Sequence, residues 1–129
     1  MKQQILEQMP DANLQVYVVW GQVLSRMSPE ALAGASRSAA RRISGPRVQH
    51  FLDPELALMM PYGEVIGLPE DEPAWDVYFV FAPEVRWEQV LPVPTKWMHQ
   101  LSAGPPEDHL DLQGLADTVQ QLLAETAER

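Results

Sequence analysis

The sequence contains no cysteine among its 129 residues. The protein therefore has no thiolate nucleophile, no disulfide framework and no cysteine-ligated zinc site. It also has no apolar run near the roughly 20 residues that a membrane-spanning helix needs. The first ten residues, MKQQILEQMP, lack the apolar core of a signal peptide. These absences predict a soluble, cytoplasmic protein without thiol chemistry.

Positive charge is scarce as well: 9 lysines and arginines stand against 18 aspartates and glutamates, a net charge of −9. This balance argues against a nucleic-acid partner and against an anionic membrane. The exception is the segment 26–52, in which five arginines accompany a single acidic residue. That basic stretch is either a docking site for an acidic partner or a phosphate, or an ordinary solvated helix face, which we favour.

Other catalytic and cofactor motifs are missing too. The chain has no Gly-x-Ser-x-Gly elbow and no glycine loop that cradles phosphate. Its three histidines, His50, His99 and His109, have no diagnostic metal-ligand spacing. We therefore predict no cofactor and no metal site.

The length and a hydrophobic content of 46% predict one globular domain over residues 1–129. The apolar run 14–20 is typical of a buried central strand. Ser28-Pro29-Glu30 is a strong helix start, and Ser44-Gly45-Pro46 ends the helix. A second short strand over 48–52 completes a βαβ unit, whose two strands should be parallel.

The second half of the chain predicts a β-hairpin followed by a helix. A further helix over 55–68 leads to the strand 75–81, WDVYFVF. The alternating segment 85–91, VRWEQVL, predicts its partner strand. Apolar residues at helical spacing from Leu112 to Leu123 predict an amphipathic C-terminal helix. The predicted fold is thus α/β, with a βαβ unit, a β-hairpin, a C-terminal helix and a mixed central sheet.

This order of elements resembles the thioredoxin fold, and the residues after the first strand extend the resemblance. In thioredoxins that strand ends in a tryptophan, and a Cys-x-x-Cys motif follows at once. Here Trp20 is followed by Gly21-Gln22-Val23-Leu24, so Gly21 and Leu24 stand at the two cysteine positions. The chain therefore resembles a thioredoxin-like protein that lacks the redox motif.

The family also has a cis-proline that faces this motif, just before the third core strand. Pro73 lies too far upstream for that role, and Trp75 or Asp76 is closer to the position. The segments VVW, WDVYFVF and PVPTKWMHQL are further similar to a group of uncharacterised bacterial thioredoxin-like proteins. That similarity covers most of residues 14–101 and implies no known activity.

The candidate surface lies where the redox motif would be, because ligands of parallel sheets bind beyond the carboxyl ends of the strands. Its residues are Trp20, Gly21, Gln22, Trp75, Asp76 and His99. We predict a non-catalytic binding or interaction module that uses this surface for a protein or small-molecule partner. The alternative without a binding function is that the tryptophans fill the core and that Asp76 is a structural carboxylate.

Two further alternatives stay open. One is a small non-thiol enzyme in which Asp76 and His99 or His50 act as an acid–base pair in the same cleft. The other is a homodimer that forms through an exposed edge strand or through the region between Trp87 and Trp97.

Overall fold

The computed structural model of the chain describes residues 5–9, 13–21, 28–102 and 104–127. These residues form a mixed α/β structure with three α-helices and four strands. The chain divides into two compact units. We call Leu14–Trp75 the parallel unit, and Met1–Asn13 together with Asp76–Arg129 the antiparallel unit.

The strands lie in two sheets of two strands each, one parallel and one antiparallel. The predicted α/β class is confirmed. The predicted mixed central sheet differs from what is observed, because the described residues form no ladder that joins the two sheets.

The parallel sheet pairs β1 (Val16–Trp20) with β2 (Val48–Leu52). The register aligns Trp20 with Leu52, and the predicted parallel βαβ strand pair is confirmed. Because side chains alternate between the faces of a strand, Trp20, His50 and Leu52 share one face.

The prediction that β1 is a buried central strand is wrong. Tyr17 in its middle is 60% exposed, and Phe51 beside it on β2 is 48% exposed. Central strands of parallel sheets are covered on both faces. Within the described residues β1 pairs only with β2, and the Tyr17 face is open.

The crossover helix α1 (Pro29–Ala40) begins where the sequence predicted. The Ala31 N–H donates to the Ser28 Oγ over 3.1 Å, and proline occupies the first turn. Leu32 and Ser36 of this helix are buried. The helix ends at Ala40, earlier than the predicted Ser44.

A short helix, α2 (Met59–Val65), lies within the predicted range 55–68. Gly63 is in its middle, and a Cβ atom there would overlap the backbone carbonyl oxygen of Glu72. The Ala74 N–H donates to the Met59 carbonyl over 2.7 Å. Residues 72–74 thus run tightly along α2, and only glycine permits this approach.

Asp53 connects β2 to α2. Its buried carboxylate accepts the Ala57 N–H at Oδ1 over 2.7 Å, and the Leu58 and Met59 N–H groups at Oδ2 over 3.0 Å each. Its own N–H donates to the Trp20 carbonyl over 2.7 Å. Because the first N–H groups of a helix have no partner within it, this carboxylate caps α2 and ties it to the end of β1.

In the antiparallel unit, β3 (Val77–Val80) pairs with β4 (Lys96–His99). The strand predicted at 75–81 is confirmed in shorter form, but the prediction that 85–91 is its partner is wrong. Segment 85–91 is a loop, in which Trp87 is 54% and Val90 83% exposed.

Hydrogen bonds at the end of β3 explain the choice of partner. The Thr95 N–H donates to the Val80 carbonyl over 2.8 Å, and the Thr95 Oγ accepts the Ala82 N–H over 2.9 Å. These contacts lead the chain from Thr95 into β4 and engage the end of β3. Pro83 and Pro92 flank the loop that contains 85–91. Because proline has no N–H to donate, neither residue can contribute a donor to a strand ladder.

The C-terminal helix α3 (Leu112–Ala127) confirms the predicted amphipathic helix. Leu115, Ala116 and Val119 are its buried residues. A Cβ at Gly114 would lie 3.5 Å from the Met98 methyl, so α3 runs close to β4.

The N-terminal segment is described only over residues 5–9. Ile5 and Leu6 are buried, and the Met9 N–H donates to the Ile5 carbonyl over 3.1 Å. Across the described residues, no helix combines the length and apolarity needed to cross a membrane.

Candidate functional site

Trp20, the last residue of β1, is fixed by a hydrogen-bonded pair of rings. Its indole N–H donates to the His50 Nδ1 over 3.0 Å, and the two rings stack with centroids 6.0 Å apart. An indole nitrogen can only donate, so Nδ1 must be the unprotonated nitrogen of the imidazole. The proton then sits on Nε2, which donates to the Ile43 carbonyl over 2.7 Å. Both ring nitrogens of His50 are therefore engaged.

A cavity of about 180 Å³ lies beside this pair, where α1 crosses the carboxyl ends of β1 and β2. The strands contribute Trp20, His50, Phe51 and Leu52. The helix contributes Ala33, Ser36, Arg37 and Ala40, which repeat at helical spacing along one face. The cavity occupies the position at which ligands of parallel α/β sheets bind.

Among these lining residues, Arg37 carries the one permanent charge. It lies in the last turn of α1, its side chain is exposed, and the described lining residues include no carboxylate. The Ser36 Oγ–H is committed to the Ala33 carbonyl over 3.0 Å. The cavity thus combines apolar walls with one cationic donor.

Gly21, at the position of the first redox cysteine in the thioredoxin comparison, faces two apolar side chains. A Cβ atom there would lie 2.7 Å from the Met59 Sδ and 2.9 Å from a Leu56 methyl. These distances are shorter than real Cβ contacts. Residue 21 therefore accommodates glycine, and a larger side chain would have to displace both neighbours.

The two remaining surface candidates in this region differ in what can be said of them. Gln22 falls outside the described residues. Trp75 is half-buried and its N–H donates to the Pro73 carbonyl over 3.0 Å, but it does not line the cavity beside Trp20.

Asp76 and His99 belong to the antiparallel unit. Asp76 is exposed rather than part of the apolar strand, with φ at +52°, a conformation that aspartate tolerates better than most residues. Its carbonyl accepts the Gln100 N–H over 2.9 Å. Burial raises the pKa of the neighbouring Tyr78 phenol, and the Asp76 carboxylate raises it further.

His99 is fully buried, with 0% of its surface exposed. The Leu101 N–H donates to its Nδ1 over 2.9 Å, so its Nε2 carries the proton and donates to the Pro105 carbonyl over 2.6 Å. A Cβ at Gly104 would lie 2.5 Å from the ring. His99 thus fastens the loop after β4, and an acid–base role for it or for His50 would require breaking one of these bonds.

The described residues contain no group of three or more histidines, aspartates and glutamates that could hold a metal ion. A larger hollow of about 730 Å³ borders residues 86–90, but those five consecutive residues of one exposed loop are its entire lining.

Ser36 was not predicted as a site residue, and His50 was considered only as an acid–base group or a metal ligand. A signal for His50 was present: parallel pairing of the two predicted strands with their ends aligned places it on the same face as Trp20. Arg37 belongs to the basic segment 26–52, for which docking of an acidic partner or a phosphate was one alternative, but helical spacing alone does not show which residues of α1 lie beside the sheet.

No protein-family model, curated protein or solved structure matches this chain. The resemblance to thioredoxins therefore stays a prediction, and the function has to follow from the residues around Trp20.

Proposed function

We propose that the protein is a non-catalytic binding module on a thioredoxin-like scaffold without thiol chemistry, and that its site is the cavity beside Trp20. The observation that carries this proposal is the position of the cavity. It opens at the carboxyl ends of two parallel strands, where the crossover helix leaves a gap of about 180 Å³.

The order of elements supports the scaffold. A parallel strand–helix–strand unit precedes an antiparallel pair and a C-terminal helix, the order on which the resemblance to thioredoxins rests. Trp20 ends β1 and Gly21 follows, at the place where that family carries its first cysteine.

The hydrogen bonds around Trp20 favour binding over catalysis. A general base needs a nitrogen or oxygen free to take a proton from its substrate. His50 uses both ring nitrogens to hold Trp20 and the Ile43 carbonyl, so the ring orients the tryptophan. A side chain held in this way presents a preformed surface, which lowers the entropy lost on binding.

Crystal soaking or NMR with a mixed set of acidic, basic and neutral fragments tests this proposal. We expect bound fragments to cluster at the cavity and to shift the Trp20 indole N–H resonance. Trp20→Phe should weaken them about tenfold, since it removes the bond to His50 and part of the wall. The matched control is Trp97→Phe, which changes a half-buried strand tryptophan of the antiparallel unit.

Fragments that cluster elsewhere, or that bind Trp20→Phe and the wild type equally, would overturn the assignment. Far-UV circular dichroism and thermal unfolding of both variants establish that each is folded. A loss of binding in a folded Trp20→Phe variant then reports on the site itself.

A further inference from the structure

We propose that the cavity beside Trp20 takes a small monocarboxylate with a short apolar chain, whose carboxylate pairs with Arg37. This inference rests on the proposed function and specifies the chemical class of its ligand.

The first support is the sign of the charge at the cavity. The chain as a whole is acidic, with a net charge of −9, yet no aspartate or glutamate is among the described residues that line the cavity. The permanent charge among those residues belongs to Arg37, for which the described residues supply no ion-pair partner. A cationic ligand would meet repulsion there, whereas an anionic ligand would be attracted.

The second support comes from the side-chain hydrogen-bond donors. The Trp20 indole N–H is used by His50, and the His50 Nε2–H is used by Ile43. The Ser36 hydroxyl proton is used by the Ala33 carbonyl. Arg37 is thus the lining side chain with donors to spare, and its planar fork matches the two oxygens of a carboxylate.

The third support is the size and polarity of the remaining wall. A cavity of 180 Å³ equals about six water volumes, at roughly 30 Å³ per molecule. Ala33, Ala40 and Leu52, which have apolar side chains, are among its lining residues. The cavity therefore has room for a short alkyl chain.

The experiment compares matched probes on the full chain by following the Trp20 indole resonance during titration. The probes are butanoate, butanamide, butylamine and inorganic phosphate, which separate charge from shape and the anion from its apolar tail. We expect butanoate to bind in the millimolar range and at least tenfold more tightly than each of the other three.

Variants identify the cation. Arg37→Gln should weaken butanoate about tenfold, while Arg37→Lys should retain part of the affinity because it keeps a point charge. The control is Arg41→Gln, one helical turn further on, which removes an exposed arginine that does not line the cavity. It should leave the affinity unchanged.

Equal binding of butanamide and butanoate, or of butanoate by Arg37→Gln and the wild type, would overturn the carboxylate assignment and leave the binding site standing. Phosphate binding as tight as that of butanoate would overturn the requirement for an apolar chain. If no probe shifts the Trp20 resonance, the carboxylate assignment fails. In that case the mixed fragment screen decides separately whether the site binds anything.

Discussion

The Asp53 carboxylate holds the start of α2 through three backbone N–H groups, and its removal should destabilise the parallel unit. A hydrogen bond to a charged acceptor contributes ~1.5–3 kcal/mol, so the three bonds together set an upper bound of roughly 9 kcal/mol. Ala57 is exposed, and its N–H can bond to water once the carboxylate is gone. We therefore expect Asp53→Ala to cost about 3–5 kcal/mol, a large part of the ~5–15 kcal/mol that stabilises a typical domain.

Asp53→Asn separates charge from shape. The amide keeps one acceptor oxygen but turns an NH₂ group toward the other N–H donors. The free energy of unfolding of Asp53→Asn should therefore lie between that of the wild type and that of Asp53→Ala. The control is Glu55→Ala, an exposed carboxylate two residues away, which should change stability by less than ~0.5 kcal/mol.

Urea unfolding followed by tryptophan fluorescence and far-UV circular dichroism measures these free energies. If Asp53→Ala unfolds within about 1 kcal/mol of the wild type, the three bonds do not hold α2, and the account of this junction is wrong.

Two further predictions concern packing and pH. Gly63→Ala should lower the free energy of unfolding by at least ~3 kcal/mol, because its Cβ would overlap the Glu72 carbonyl. Gly34→Ala in α1 would place its Cβ where nothing lies within 4 Å, and it should raise the free energy of unfolding by ~0.5–1 kcal/mol. Urea unfolding that gives both changes the same sign would contradict this. Burial raises the pKa of the Tyr62 phenol from 10.0 to about 12. The stability that comes from burying the neutral phenol is therefore fully present below pH 10. About 2–3 kcal/mol of the free energy of unfolding is lost as the pH rises through 12. Tyr62→Phe should flatten this alkaline part of the stability curve, and a wild-type curve that stays level there would refute the prediction.

Local signals account for the elements that the sequence predicted well. Ser28 and Pro29 start α1 with contacts inside a single turn, and β2 is bounded on both sides by turn residues. Such features depend on neighbours within a few residues, so they are visible in the sequence.

The predicted hairpin is wrong because the choice of the strand that pairs with β3 does not depend on local sequence. Alternation in 85–91 is as good a strand pattern as 96–99, but Thr95 bonds to both Val80 and Ala82 and brings the later segment to β3. The lining of the cavity beside Trp20 is predictable only in part for the same reason. Trp20 was predicted from its place at the end of a strand and Gly21 from its place after it, whereas the position of Arg37 at the cavity depends on how α1 packs beside β2.

The contact of Gly21 with Met59 and Leu56 bears on how this scaffold could be re-engineered. A cysteine placed at residue 21 would have to move a thioether and a methyl group at once, and Met59 is held by the Asp53 cap through its backbone. The contacting atoms are the ends of the two flexible side chains, so a thiol beside Trp20 would require new rotamers of Leu56 and Met59 rather than a shift of the backbone. The side chains that lead into α2 therefore decide which residues fit after β1.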